Sequence, residues 1–157
     1  MTIHTIGPSG PKLAVDIAVF LQNWSVLLIT RKYDPFIGAY ALPGGFVEHG
    51  ESCLDAAQRE LHEETGLEIA KNRFSRIGIY DNPERDPRGH VVSIAYGCML
   101  GNRLEPQAAD DAATAEWVNG WYKEPVRGVL DLKPSGLFIA FDHWSIIRDA
   151  LFELDWM

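Results

Sequence analysis

Apolar residues fall into short runs separated by glycine, proline and charged positions. Leu13 to Phe20 is almost continuously apolar, with Asp16 its one charge, and predicts a mostly buried strand. Asn23-Trp24 predicts the turn into a second strand, Ser25 to Arg31. Lys32 to Gly38 reads as a loop, and Ala39 to Leu42 as a short extended piece before Pro43-Gly44-Gly45. Residues 52–65 carry helical periodicity. Phe74 to Tyr80 and Val91 to Leu100 read as strands joined by a loop rich in proline and arginine, and Ala115 to Val118 as one more short strand. Near the C-terminus, Ile146, Ile147, Ala150, Leu151 and Leu154 recur at helical spacing, which predicts a helix from His143 to Leu154 with Asp142 as its N-cap. That stripe reads as core packing.

Strands outnumber helices in mixed order, so the fold class is α+β, a mixed sheet flanked by helices. Residues 1–12, with Gly7, Pro8, Gly10 and Pro11, read as an irregular lead-in. No repeat or composition break divides the rest of the chain, so 13–157 is expected to be a single domain.

Composition changes this picture little. The chain has 157 residues, 46% apolar and 23% charged, as expected of an ordinary globular domain. No apolar run approaches the ~20 residues of a membrane helix, and the first residues lack a basic segment followed by an apolar one, so no membrane association and no secretory signal are expected. Cys53 and Cys98 match no zinc spacing and read as reduced thiols of a cytoplasmic protein. A net charge of −8 argues against a grip on nucleic acid. It does not argue against an anionic substrate, provided divalent cations stand between the two.

The informative segment runs from Gly45 to Leu67. On a helix over 52–65, at ~100° per residue, Leu54, Ala57, Leu61 and Thr65 share a face that would pack on the sheet. Glu60, Glu63 and Glu64 fall beside it. Like charges at this spacing destabilise a helix by about 0.2–0.5 kcal/mol per i,i+4 pair, and they sit near the C-terminal end, where the macrodipole disfavours anions. Hard cations such as Mg²⁺ reverse that penalty, because they take carboxylate and phosphate oxygens as ligands. Arg59 adds a fixed positive charge suited to a bidentate pair with Glu51 or Glu60. Gly44-Gly45 permits close backbone approach, and Gly66 suits the helix end. Glu63-Glu64 alone would read as an ordinary surface pair; the full pattern is what carries chemistry.

Gly45, Glu51, Arg59-Glu60-Leu61, Glu63-Glu64 and Gly66-Leu67 stand at the spacing of the Nudix box, and the segment resembles the Nudix hydrolase family at every fixed position. The strand Val26 to Arg31, the approach Leu42-Pro43-Gly44-Gly45 and Glu116-Trp117 after an acidic loop extend the likeness over roughly residues 13–152. The resemblance implies an α/β/α sandwich around a mixed β-sheet, and metal-dependent hydrolysis of the diphosphate of a nucleoside diphosphate linked to another group. It implies Glu60 and Glu64 as metal ligands, with the Gly45 carbonyl, and Glu63 as a ligand or as the residue that positions water. Two or three Mg²⁺ or Mn²⁺ ions would serve. Arg59 would orient the carboxylates, Glu51 among them. The general base stays open between a box glutamate and a later acid, with Asp111 the leading loop candidate beside Asp110 and Glu105.

The segment Tyr80 to Ser93 resembles the matching loop of ADP-ribose pyrophosphatases and of Nudix regulators that bind ADP-ribose. It nominates Pro83, Arg85 and Arg88 as substrate contacts, joined by Arg31 at a strand end. The competing reading of Arg85 and Arg88 is a loop closed by salt bridges to Asp86. Tyr33, Phe36 and Trp24 are candidates to stack on adenine. ADP-ribose, cleaved to AMP and ribose 5-phosphate, is thus the leading substrate; another sugar nucleotide or an (oxidised) nucleoside triphosphate is the alternative. A non-catalytic ADP-ribose-sensing module is the alternative of another class, and the acidic chain ending at Met157 leaves that reading without a DNA-binding region. The resemblance also implies a homodimer.

Overall fold

Every residue from Ala14 to Leu21 is buried, because strand β1 (Lys12–Leu21) has a layer packed on each face. Alternation divides it. Val15, Ile17, Val19 and Leu21 join one apolar cluster, and Ala18 and Phe20 join another. The structure, a computed structural model, describes residues 10–119 and 136–154. Most of the expected lead-in lies outside the described residues.

The elements then run β2 (Val26–Arg31), β3 (Tyr40–Ala41), β4 (Gly44–Phe46), α1 (Cys53–Thr65), β5 (Ser75–Tyr80), β6 (Val91–Leu100), β7 (Ala112–Val118) and α2 (His143–Leu154). A 3₁₀ turn, Lys71–Arg73, precedes β5. One mixed sheet holds all the strands among the described residues, in the path β3-β2-β1-β6-β5, with β4 paired to β1 and β7 to β2. The β1–β6 pairing is parallel and continuous from Lys12↔Val91 to Leu21↔Leu100. The other strand pairs are antiparallel.

Helix α1 covers one face of the sheet. Ser52 caps its start by accepting from the Asp55 N–H at 3.1 Å, and Gly66, at φ 69°, ends it by donating to the His62 carbonyl. Its buried residues are Ala56, Ala57, Leu61, Glu64 and Thr65. The inward face is therefore rotated from the expected one: Leu54 is only half-buried, and Glu64 goes inside. Two alanines let α1 sit close to β1, which brings the Glu64 side chain over Gly44. Helix α2 covers the other face with Ile146, Ile147, Ala150, Leu151 and Leu154, as its periodicity predicts. Each fully buried Leu or Ile contributes about 1.5–3 kcal/mol.

Two elements differ from expectation. Gly44–Phe46 is a strand, because it lies along β1 with Asp16↔Gly44 and Val15↔Gly45 in register. Strand β7 begins at Ala112, three residues early, because β2 offers an edge whose pairing runs from Val26↔Val118 to Arg31↔Ala112. Backbone pairing overrides the weak strand propensity of Ala112 and Ala113.

Gly44 is the tightest point of this packing. A Cβ there would collide with the Val15 carbonyl oxygen and stand 2.9 Å from the Asp16 carboxylate. Gly44→Ala is expected to lower the unfolding free energy by at least about 2 kcal/mol, measured by urea denaturation; wild-type stability would show that β1 and β4 have room to part.

Candidate active site

The Arg59 guanidinium uses all five of its N–H donors on one side of α1. Nε and Nη2 grip Glu51 in a bidentate pair at 2.8 and 2.9 Å. Nη1 donates to Glu60 at 2.8 Å and to Glu63 at 3.0 Å. The remaining Nη2 proton goes to the Phe46 carbonyl at 3.1 Å. Hydrogen bonds donated to Glu51 hold the guanidinium charged well beyond its ordinary range. The same contact draws the Glu51 carboxyl below the usual carboxylate range.

Glu60 and Glu64 lie one turn apart, against the two glycines of β4. The Glu60 carboxylate occupies the space where a Gly45 side chain would begin. Glu64 accepts from the Gly44 N–H at 2.9 Å, and its other oxygen has no hydrogen-bond partner among the described residues. Burial raises the Glu60 carboxyl. It pushes Glu64 up to about 8; the Gly44 N–H counters this in part, while Glu60, Asp111 and Asp16 reinforce it.

These residues border a cavity of about 910 Å³. Of the catalytic, metal and substrate residues nominated from the sequence, all line it except Glu51, Pro83 and Glu105. Glu51 acts on it through Arg59. Pro83 is exposed and lies outside it, and so does Glu105, which pairs with Arg103. Asp110 and Asp111 both reach the cavity, from the turn before β7.

The nominated arginines divide. Arg31 and Arg88 stay partly exposed at the cavity, and Arg88 forms the expected salt bridge with Asp86. Arg85 also lines the cavity, but carboxylates hold it. Its side chain is 4% exposed; it grips Asp142 through Nε and Nη2 at 2.8 and 2.6 Å and stands 3.2 Å from Asp16. It ties the loop after β5 to β1 and to the start of α2. Asp142 stands before α2 as expected, but its carboxylate serves Arg85, while its backbone carbonyl accepts from Ser145 and Ile146.

Asp16 also accepts from Ser93 Oγ at 2.6 Å, and its other oxygen lies 3.2 Å from His143 Nε2. His143 Nδ1 accepts from the Leu42 N–H, which leaves the ring proton on Nε2, toward Asp16. Burial works to raise the Asp16 carboxyl, but His143, Arg85 and Ser93 outweigh it and hold the group ionised. Sequence reasoning did not nominate Asp16, Phe141 or His143, which all line the cavity. A lone charge in an apolar strand was the available signal for Asp16; Phe141 and His143 gave none. Of the stacking candidates, Tyr33 lines the cavity, Phe36 packs edge-on against Phe141 at 5.0 Å, and Trp24 packs against the cluster beneath α2.

Among the described residues, no three His, Cys, Asp or Glu side chains are arranged to hold a metal ion as they stand. Glu60 and Glu63 are paired with Arg59 instead. The donor set nevertheless suits a hard divalent cation. It consists of carboxylate oxygens, and Glu64 is a buried carboxyl with an unpartnered oxygen, crowded by other acids.

A family model described as NUDIX domain matches residues 10–121. An ADP-ribose pyrophosphatase of Methanocaldococcus jannaschii is 45% identical over 142 residues, covering 90% of this chain and 73% of that protein. An ADPR responsive transcriptional repressor, NtrR, of Acinetobacter baylyi is 30% identical over 93% of this chain and 55% of its own length. The crystal structure of a MutT/nudix family protein from Enterococcus faecalis superposes with a TM-score of 0.80 at 36% identity, covering 93% of this chain and 62% of that one. The NUDIX domain of Shewanella oneidensis NrtR, solved with ADP ribose, gives 0.74 at 27% identity over 93% and 90%.

Arg85→Ala is expected to cost about 3–5 kcal/mol of unfolding free energy, because it leaves Asp16 and Asp142 without their cation; a loss under about 1 kcal/mol in chemical denaturation would exclude this structural role. A raised carboxyl also has a definite sign. Between its ordinary value of 4.5 and about 8, Glu64 keeps a proton in the folded state that the unfolded chain releases. With a chelator present, stability should be highest below that window, fall as pH rises through it, and level off above. Melting temperatures across the window check this, and Glu64→Gln should flatten the profile.

Proposed function

Because the chain belongs to the Nudix family of pyrophosphohydrolases, we propose that it cleaves ADP-ribose at the diphosphate, giving AMP and ribose 5-phosphate, with divalent metal. One observation carries the proposal: three carboxylates of the box, Glu60, Glu63 and Glu64, face one cavity that also presents Arg31 and Arg88. The choice of ADP-ribose is supported by the relative named an ADP-ribose pyrophosphatase and by the NrtR domain solved with ADP ribose.

Nudix hydrolases generally use divalent metal ions. Here Glu60 and Glu64, with the Gly45 carbonyl, would hold Mg²⁺ or Mn²⁺, two or three ions by the family resemblance. Bound metal supplies polarisation of the phosphate oxygens and a more acidic water. The chain's own residues do the rest. Arg59 keeps Glu51, Glu60 and Glu63 in place, so that little rearrangement is needed when charge develops. Glu63, partly exposed at the cavity, positions water or serves as a further ligand. Asp111 is the leading base from outside the helix. Arg31 and Arg88 take the phosphate oxygens, and Arg85 and Pro83 shape the loop that carries Arg88.

Another sugar nucleotide, or an (oxidised) nucleoside triphosphate, is the substrate reading that ADP-ribose must beat. The proposal extends to a cytoplasmic homodimer acting on a small nucleotide rather than nucleic acid. Two free thiols and the net charge of −8 support the location and the substrate size; the dimer rests on resemblance alone. Among the described residues, no helix is long and apolar enough to cross a membrane.

The test is a panel of nucleoside diphosphate derivatives with Mg²⁺ or Mn²⁺ and chromatographic analysis of products. ADP-ribose should give the highest kcat/KM, and Glu64→Gln should lower kcat by at least about a hundredfold while the circular dichroism spectrum is unchanged. Faster turnover of another panel member would replace ADP-ribose. No turnover of any member would overturn the enzymatic reading.

A further inference from the structure

The residue before Asp142 carries an arrangement that the carboxylate helix does not require. Phe141 has φ 56°, a left-handed conformation unfavourable for a bulky side chain. The two residues that follow are both held: Asp142 is bound by Arg85, and His143 is bound to Leu42 and Asp16. The Phe141 ring lines the cavity.

Two guanidiniums share that ring. The central carbon of Arg31 lies 5.0 Å from its centroid and that of Arg88 lies 5.6 Å away. They come from separate parts of the fold, the end of β2 and the loop before β6. Other groups hold each at one side: Arg31 Nε donates to the Pro35 carbonyl at 2.6 Å, Arg88 pairs with Asp86, and Arg88 also lies 5.3 Å from the Phe46 ring centroid. Among the described residues, Nη1 of either arginine has no hydrogen-bond partner. Two cations gathered on one ring repel each other. The negative face of the ring attracts both; Asp86 balances the charge of Arg88, while Arg31 faces the cavity with no salt bridge among the described residues. A ligand with several anionic oxygens supplies what is missing, and guanidinium donors match such oxygens in planar pairs.

We propose that Phe141 is a positioning residue, whose ring holds Arg31 and Arg88 together as one two-guanidinium subsite for the diphosphate of the substrate. The inference rests on the pyrophosphohydrolase reading for the identity of the anion. The ring touches no reacting atom and acts through the two arginines.

The test separates the two ideas. Phe141→Leu keeps an apolar side chain and removes the ring; Phe141→Tyr keeps the ring. With ADP-ribose and Mg²⁺, Phe141→Leu should raise KM about tenfold with a much smaller change in kcat, and Phe141→Tyr should stay near wild type. Titration calorimetry with inorganic pyrophosphate in a chelating buffer should show a similar weakening for Phe141→Leu alone. In the unmodified Phe141 background, Arg31→Lys and Arg88→Lys should each weaken pyrophosphate binding, and the double variant should lose much less than the product of the single losses. If Phe141→Leu binds pyrophosphate and substrate as wild type does, or if the two lysine effects simply multiply, the proposal is overturned. If Phe141→Leu does not fold, the arginine cycle decides. If the wild type turns over no ADP-ribose, the function reading fails, and the pyrophosphate titrations still decide this inference.

Discussion

One arginine holds the chemistry together. The five donors of Arg59 reach the turn before α1, the strand β4 and the acidic face of α1 itself. That face places acids near the negative end of the helix dipole, where neither the backbone nor one another stabilises them. Arginine suits the position for two reasons. Its charge persists at any pH the protein meets, and its planar fork meets Glu51 in two parallel bonds while still reaching Glu60 and Glu63. Lysine offers three donors from a single point and could not join these partners at once.

Glu64 is left outside that network, and the difference is instructive. It lies one turn from Glu60 yet meets a backbone N–H rather than a cation, because the close packing of α1 on the sheet turns it inward over Gly44. One guanidinium thus bonds three acids, whose charges outnumber its own, and a fourth is buried with one oxygen unpartnered among the described residues. Such crowding of carboxylates suits a divalent cation, as the proposed metal dependence requires.

A second network, on the other face of β1, carries the far wall of the cavity. Asp16 is the only charge in the buried core of β1, and Ser93, Arg85 and His143 converge on it from β6, the loop after β5 and α2. The start of α2 contributes three successive side chains, Phe141, Asp142 and His143, that touch different parts of the site. Helix α2 therefore does more than cover the sheet; Asp142, just before it, holds Arg85, and His143, its first residue, meets Asp16.

Local sequence determined much of this protein. Both helices were readable because each has its own signals: an apolar stripe, with a closing glycine for α1. The strand Val91 to Leu100 was readable from its apolar run. The box was readable because metal and phosphate chemistry needs particular residues at particular spacing along one helix, and spacing along a helix is a property of sequence. What the tertiary structure decided depends on residues far apart in the chain. Gly44–Phe46 became a strand, and β7 began early, because partner strands supplied hydrogen bonds that local propensity does not foresee. Arg85 and Arg88 look alike in the sequence, yet one is buried between two aspartates and the other opens to the cavity. The carboxylates that separate them, Asp16 and Asp142, meet only when β1 and α2 pack, so the type of chemistry was written locally and its walls were set by packing.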